Sequence, residues 1–475
     1  MNNSRQRRQQ SVGEIQFAKP SRRNDAQPSG ARVEPIRPAN PDDGLDMRCT
    51  PVSCAWPPLQ LVDSWSTKMR IVIDLQAGQG HSGLRGIGRY SRSLALSITR
   101  LAMDRGHDVC LVMNASLPML IPSIRKEFAG LLPDENIFLF PGLENTADIA
   151  PENRARMLRS EAVREHFIAA LKPDILHVAS LFEGFVDDVT VSINDHVALP
   201  TAVTLYDLIP YVMPELYLTD PRFEKYYLRR LDALRHAQWL LAISNHTREE
   251  ALTLLERDPE RVTNISAAVA DIFRPRRISE QRRAELAALY GIRGEFLLYV
   301  PGGFDPRKNF AALLQAYARL PATLRATHQL VIGSKVYPGE LPLFTALRDQ
   351  AGLTGADVVL TGYLPDDDLV DLFNLCTAHV FPSLHEGFGL PALEAMSCGA
   401  PSIGSNATSL PEVLGRSDAL FDPRCPDSIA RKMTEVLSDA EFRGSLREHA
   451  LRHSAGFSWD HSGKRALEAF EAALV

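Results

Sequence analysis

Two glutamates eight residues apart, Glu386 and Glu394, bracket the stretch of this chain best suited to holding a ligand, Ser383-Leu-His-Glu-Gly-Phe-Gly-Leu-Pro-Ala-Leu-Glu394-Ala-Met-Ser-Cys-Gly399. Ala378-His-Val-Phe-Pro382 before it reads as a short buried strand, Glu386 to Gly389 as a loop, and Pro391 as the first helical position, where a missing N–H costs nothing. Gly387 and Gly389 predict a backbone that a ligand can approach closely. The N–H groups of Gly389 and Leu390 then open a helix, where orphan donors and the helix dipole favour a phosphate. With one carboxylate on each side of that anion site, Glu386 suits a sugar-like group and Glu394 the opposite end of the ligand.

A second basic, glycine-rich turn, Gly302-Gly-Phe-Asp-Pro-Arg-Lys-Asn309, follows a predicted strand and opens a helix. Arg307 and Lys308 at a strand's carboxyl end can neutralise a departing diphosphate without a metal. Leu205-Tyr-Asp-Leu-Ile-Pro210 ends another strand, so Asp207 suits either a substrate hydroxyl or a helix cap. His177 and Glu183 end the strand before it and are weaker candidates. Ser244-Asn-His-Thr247 reads as a helix cap near the cleft. Gly78-x-Gly80-x-x-Gly83 imitates a dinucleotide fingerprint, but its helix is expected only after Gly88, and the next strand ends at Asn114 rather than at an acid for a ribose. Gly78 to Arg89 is therefore expected to be a long flexible loop. Asp366, Asp367 and Asp368 look like a cation site, yet they fall in the first turn of an amphipathic helix, where the dipole accounts for them.

The elements that must position these residues alternate. Strands are predicted at 69–75, 108–113, 173–177, 201–205 and 239–243, then at 295–300, 329–332, 358–360 and 379–381, each separated by helical stretches. This is the pattern of α/β parallel sheets covered on both faces. Two doubly wound units facing a cleft are expected, residues 69–275 and 276–475, with a last helix near 459–474 and a disordered tail over 1–68 that is too polar to bury a core. A chain of 475 residues is long enough for two such domains. Its 45% hydrophobic and 23% charged residues are ordinary for a soluble protein, and a net charge of −6 gives no reason to expect nucleic acid. Six scattered cysteines without a CxxC pair favour reduced thiols in the cytoplasm over disulfides or zinc. No run is apolar enough to span a bilayer, and the polar N-terminus is unlike a signal peptide. Pro118 to Phe128, apolar with Arg125 and Lys126, fits either a buried amphipathic helix or peripheral contact with a membrane's inner face.

Glu386-x7-Glu394 within HEGFGLPALEAMSCGAP, followed by Leu410-Pro-Glu-Val, resembles the nucleotide-sugar signature of the retaining, group 1 (family four) glycosyltransferases with the GT-B fold, over roughly residues 69–475. The resemblance implies that Glu386 contacts the donor sugar, Glu394 holds the ribose, and Phe388, Gly389 and Leu390 bind sugar and diphosphate through their amides. It implies that Lys308 grips the donor phosphates. Gly303 stands where many relatives have Arg, so Arg307 is expected to supply the second charge. Gly362 and Tyr363 resemble a loop against the base, Gly86 and Gly88 a loop beneath the phosphate, and the last helix one that crosses back to the first domain. Tyr206 replaces a His common before Asp207, which removes any role specific to His. The leaving phosphate takes the acceptor's proton, so no general base, no cofactor and no metal are expected. Likeness to bacterial polysaccharide and lipopolysaccharide mannosyltransferases implies GDP-mannose as donor and a glycan or lipid-linked glycan as acceptor. A nucleotide-sugar-binding subunit without turnover, or an epimerase or phosphorylase on the same fold, stays open.

Overall fold

The computed structural model describes residues 68–474. The tail expected over 1–68, and with it Cys49 and Cys54, lies outside the described residues except for Lys68.

Thirteen strands among the described residues form two all-parallel sheets. The first holds β1 (Arg70–Asp74), β2 (Asp108–Asn114), β3 (Ile137–Phe140), β4 (Ile175–Val178), β5 (Thr201–Leu205), β6 (Trp239–Ala242) and β7 (Val262–Asn264), in the order β3-β2-β1-β4-β5-β6-β7. The second holds β8 (Glu295–Tyr299), β9 (His328–Ile332), β10 (Val358–Leu360), β11 (Ala378–Phe381), β12 (Ser402–Ser405) and β13 (Leu420–Phe421), in the order β10-β9-β8-β11-β12-β13. Strands such as Ile71-Val-Ile73 are apolar at consecutive positions and wholly buried, because helices cover both faces. In each sheet the chain leaves in opposite directions from two neighbouring strands, β1 and β4 in the first, β8 and β11 in the second. Loops at the carboxyl ends of those pairs diverge and leave a crevice, the usual ligand position in such sheets.

Two expectations about local structure are corrected. The helix after β1 begins at Gly86 rather than beyond Gly88 and runs to Asp104, with extended Arg85 as its cap. The segment from Gly78 to Arg89 is also not a free loop, because its polar side chains bind it to the sheet. Gln79 exchanges hydrogen bonds with the Asn114 backbone at 2.7 and 2.9 Å, and Ser82 Oγ donates to Glu183 at 2.9 Å. In the segment Pro118 to Phe128, Ile121, Ile124 and Phe128 are buried and serve the core, while Pro118, Met119 (83%) and Pro122 are exposed. No described helix is long and apolar enough to cross a membrane. The described cysteines, Cys110, Cys376, Cys398 and Cys425, are free thiols.

The last helix, Trp459–Ala472, lies against the Gly86–Asp104 helix of the first sheet. Trp459 meets Tyr90 edge-on with centroids 5.0 Å apart, Arg105 pairs with Glu471 at 2.8 Å, and Arg100 pairs with Asp460. Gly463 sets the helix spacing: a Cβ there would fall on Ser97 Oγ, 2.9 Å from Ser97 Cβ and 3.1 Å from the Ile98 nitrogen. The last two atoms cannot rotate away. Gly463→Ala is therefore expected to cost about 1–3 kcal/mol in urea denaturation by forcing the helices apart. Gly444→Ala, at an exposed helical site with nothing within 4 Å of the new methyl, is the control. It is expected to be neutral or to gain up to about 1 kcal/mol.

Candidate active site

Residues 303–308 and 386 meet because β8 and β11 are the neighbouring strands at the crevice of the second sheet, so the loops that follow them share one crevice. Glu386 sits between two cations: Lys308 Nζ donates to Oε1 at 2.6 Å and Arg307 Nη1 to Oε2 at 2.7 Å. Lys308 and Glu386 are each 7% exposed. Burial alone would push the Glu386 carboxyl up, but Lys308 and Arg307 outweigh it and hold it below the ordinary carboxylate range. Burial pulls the Lys308 ammonium down against the attraction of Glu386. Such a cluster is costly to break, since a charge left buried and unpaired costs about 3–5 kcal/mol.

The scaffold beneath the cluster is made of backbone ties. Asp305 Oδ1 accepts from the Arg307 N–H at 3.0 Å and from Tyr217 O–H, on the first sheet's side, at 2.6 Å. Tyr299 O–H donates to the Lys308 carbonyl at 2.6 Å, and Asn309, left-handed at φ 62°, donates through Nδ2 to the Pro382 carbonyl at 3.0 Å. Arg307 Nη1 also reaches the His385 carbonyl at 2.8 Å. On the other flank Thr408 Oγ1 accepts from the Glu386 N–H at 3.1 Å, and Ser409 Oγ donates to the carbonyls of Glu386 and Phe388 at 2.9 and 2.6 Å. Both ends of Glu386 are thus fixed. Asp305 Oδ1 also lies 3.8 Å from Arg307 Nε, so Lys308 and Arg307 are balanced by two carboxylates, Glu386 and Asp305.

The helix that follows spans Leu390–Ser397, with Gly389 as its cap at φ 110° and Pro391 at the second position rather than the first. Leu390 is half-buried, and Gly389 has little room for a side chain, since a Cβ would come 2.7 Å from Leu410. The use of Gly387 differs from expectation. A Cβ at Gly387 would fall on the Tyr206 carbonyl oxygen and 3.1 Å from Asp207 Cβ, so its lack of a side chain admits the first sheet's backbone rather than a ligand. Thr247 Oγ1 donates to the Gly387 carbonyl at 3.1 Å from the same side. Phe388 is 3% exposed and edge-on to Phe457, so its side chain belongs to the core.

Glu394 stands half-buried away from the cations. Burial pushes its carboxyl up to about 7, Arg89 works against the rise and Asp366 adds to it. Arg89, which follows Gly86 and Gly88 in the first turn of its helix, comes 3.4 Å from Asp366 across the cleft. The three acids in the first turn of the Asp366–Leu375 helix are all ion-paired: Asp366 with Arg89, Asp367 with Arg276 at 3.1 Å, and Asp368 with Arg282 and also the Tyr290 hydroxyl. Gly362 adopts φ 78° and Tyr363 is 69% exposed beside them, while Gly303 is half-buried at the far edge of the basic turn.

Asp207 lies where the first sheet touches this loop. Its Oδ1 accepts from the Ile209 N–H at 3.0 Å, a local cap, and burial pushes its carboxyl up while Ile209, Arg307 and His385 oppose that. Tyr206 turns its hydroxyl away to Ser91 Oγ at 2.8 Å. Ser244 Oγ accepts from the Thr247 N–H at 3.0 Å and caps its helix. His177 is a core residue, wholly buried against Thr204 and Phe470, and burial pulls its ring down to about 3. Burial pushes Glu183 up to about 7 against hydrogen bonds from Ser82 and Ser180. The sequence reading missed Arg89, Tyr217, Thr408 and Ser409; all four act through contacts with residues at least 21 positions away, and no local spacing announces them.

Residues 285–453 match the family described as Glycosyl transferases group 1. The chain is 40% identical over 408 residues to the serotype-specific mannosyltransferase WbdA of Escherichia coli, covering 86% of this chain and 48% of that protein. It therefore spans about half the length of that relative. It is 30% identical over 397 residues to the O-antigen chain mannosyltransferase B of Escherichia coli, covering 82% of this chain and 96% of the relative. The fold is shared with a Rickettsia africae glycosyltransferase (14% identity, 86% and 99% covered, TM-score 0.59) and with WaaG, a glycosyltransferase of lipopolysaccharide biosynthesis (15% identity, 84% and 98% covered, TM-score 0.57). With its two parallel sheets and its paired glutamates, the chain belongs to the group 1 glycosyltransferases and has the GT-B fold.

Proposed function

We propose that this chain transfers mannose from GDP-mannose, with retention of configuration, to a hydroxyl of a glycan or lipid-linked glycan in bacterial surface-polysaccharide synthesis. The observation that carries the reading is the cluster of Lys308 and Arg307 on Glu386, beside the helix opened by Gly389 and Leu390. The choice of mannose rests on the likeness to WbdA and to the O-antigen chain mannosyltransferase.

The reaction breaks the bond between the anomeric carbon and a phosphate oxygen and forms one between that carbon and the acceptor oxygen. Positive charge grows on the sugar and negative charge on the departing diphosphate. Fixed cations aimed at the diphosphate accelerate the step only through the charge that grows beyond the ground state. Lys308 and Arg307 are such cations, with the N–H groups of Gly389 and Leu390 as further donors. Glu386 keeps the two cations in place before the donor arrives, then orients the sugar. Asp207 faces the reacting sugar from the first sheet. The acceptor proton passes to the leaving phosphate oxygen on the same face, so no protein base takes part. Glu394 holds the ribose hydroxyls, and Gly362 and Tyr363 flank the base.

The identity of the donor is tested by thermal shift and radiolabel transfer with a panel of nucleotide sugars. Stabilisation and transfer are expected with GDP-mannose; a response confined to a uridine or adenosine sugar overturns that assignment. Lys308→Ala is expected to lower kcat by about 10²-fold or more while weakening donor binding far less. Equal losses in the two would mean that Lys308 holds donor and transition state alike.

Glu394 carries a pH signature of its own. Its folded-state value near 7, against an ordinary 4.5, means that the empty fold disfavours the carboxylate. No penalty exists below about pH 4.5, where the group is protonated folded or unfolded; it grows as pH rises and is complete above about 7, at no more than about 3 kcal/mol. Glu394→Gln is therefore expected to raise the melting temperature at pH 8 and not at pH 4, and Glu394→Ala to weaken nucleotide binding in calorimetry by roughly 1.5–3 kcal/mol per lost bond. A stability gain that is the same at both pH values would remove the buried-carboxylate explanation, and unchanged nucleotide affinity would remove Glu394 from the site.

A further inference from the structure

Beside the Glu386 loop, a second set of side chains crosses between the two sheets without a part in the proposed transfer. His246 and Glu250 lie on the Asn245–Leu254 helix after β6, and His385 belongs to the loop after β11. Their i, i+4 spacing puts His246 and Glu250 on one helix face, with His246 Nε2 3.1 Å from Glu250 Oε1. His385 Nε2 approaches the same oxygen at 3.1 Å from the other sheet's side, and the three ligand atoms all lie within 4.8 Å of one another. The two imidazole rings stand edge to face, their centroids 5.3 Å apart.

Hydrogen bonding does not use up this cluster. Glu250 is 7% and His385 6% exposed, yet Glu250 Oε2 has no hydrogen-bond partner and His385 Nε2, though 3.1 Å from Glu250 Oε1, is not aligned for a hydrogen bond to it. Orphaned polar atoms at that depth are uncommon and call for a ligand. Two imidazoles and one carboxylate are donors that suit zinc, and His2Glu is a set found in zinc sites that keep a fourth position open. With bonds of about 2.0–2.2 Å, neighbouring ligands in a tetrahedral zinc site stand about 3.4 Å apart, close to both separations from Glu250. His246 keeps 30% of its side chain exposed, which leaves solvent a way to the fourth position.

We propose that His246, Glu250 and His385 bind one zinc-class divalent cation that fastens the first sheet's Asn245–Leu254 helix to the loop carrying Glu386. The cation is a clamp between domains and not a counterion of the diphosphate. Its reach into the active site runs through the backbone: His385 precedes Glu386, and the His385 carbonyl accepts from Arg307 at 2.8 Å. The proposal does not depend on the transfer reaction, because metal content reads it directly.

The test uses the full chain, stripped with a chelator, loaded with Zn²⁺ or Co²⁺ alone and desalted. One retained equivalent per chain is expected, with the intense visible bands of tetrahedral Co²⁺, and a higher melting temperature in the zinc-loaded protein than in the stripped one. His246→Ala, whose partly exposed side chain makes it the safer variant for folding, and Glu250→Gln are each expected to retain less than a tenth of an equivalent and to lose the zinc-dependent melting shift. His166→Ala, an exposed histidine elsewhere, is expected to behave as the parent chain. Failure of the parent chain to retain metal, or equal retention and equal melting shifts in His246→Ala and the parent, overturns the site.

Discussion

A carboxylate buried between two cations governs the architecture of the cleft. Glu386, held at 2.6 Å by Lys308 and at 2.7 Å by Arg307, makes it possible to keep two positive charges at 7% and partial exposure before any substrate is present. Without the carboxylate each cation would face the desolvation cost of an unpaired buried ion, several kcal/mol. The surrounding hydrogen bonds from Tyr299, Asn309, Thr408 and Ser409 constrain the backbone on both sides of the cluster. Cations fixed in advance by such ties need little reorganisation when negative charge develops beside them.

Topology explains why the cluster exists at all. Lys308 and Glu386 are 78 residues apart in sequence, yet the strands before them are adjacent because the second sheet reverses its direction of growth between β8 and β11. The first sheet repeats the arrangement between β1 and β4, and there Ser82 meets Glu183. The two sheets then meet loop to loop. Tyr206 and Asp207 press on Gly387, Tyr217 binds Asp305, and Arg89 reaches Asp366. At the cleft itself these polar contacts and one glycine join the loops of the two sheets, while the last helix supplies the apolar packing through Trp459 and Phe470.

Much of this was legible in the sequence where the signal is local. Runs such as Ile71-Val-Ile73 announced the buried parallel strands, and the Gly-rich turn between Glu386 and Glu394 announced the loop and helix that follow β11. Strands β3, β7, β12 and β13 went unread; in β7 (Val-Thr-Asn) and β12 (Ser-Ile-Gly-Ser) polar residues and glycine break any apolar run, and β13 is two residues long. The helix start at Gly86 was misplaced because two glycines imitate a loop, whereas the fold draws the segment taut through Gln79 and Ser82. The sequence proposed Glu386, Arg307 and Lys308 separately but not that they bind one another. Gly387 was read as room for a ligand, and it is room for the Tyr206 backbone. Relations between distant loops have no signature in spacing, and those were the relations that were missed.

In the proposed reaction Glu386 is already engaged by two cations and Asp207 is tied to the Ile209 N–H, so neither carboxylate is assigned the role of a base drawing a nucleophile in from the opposite face. Attack on the same face as the departing diphosphate is the central claim of the proposed function. Proton NMR of the first-formed product from GDP-mannose, recorded before any anomeric equilibration, addresses it most directly. An α-linked mannoside from the α-configured donor is the expected result. A β-linked product would contradict same-face attack and with it the role assigned to Glu386, Lys308 and Arg307.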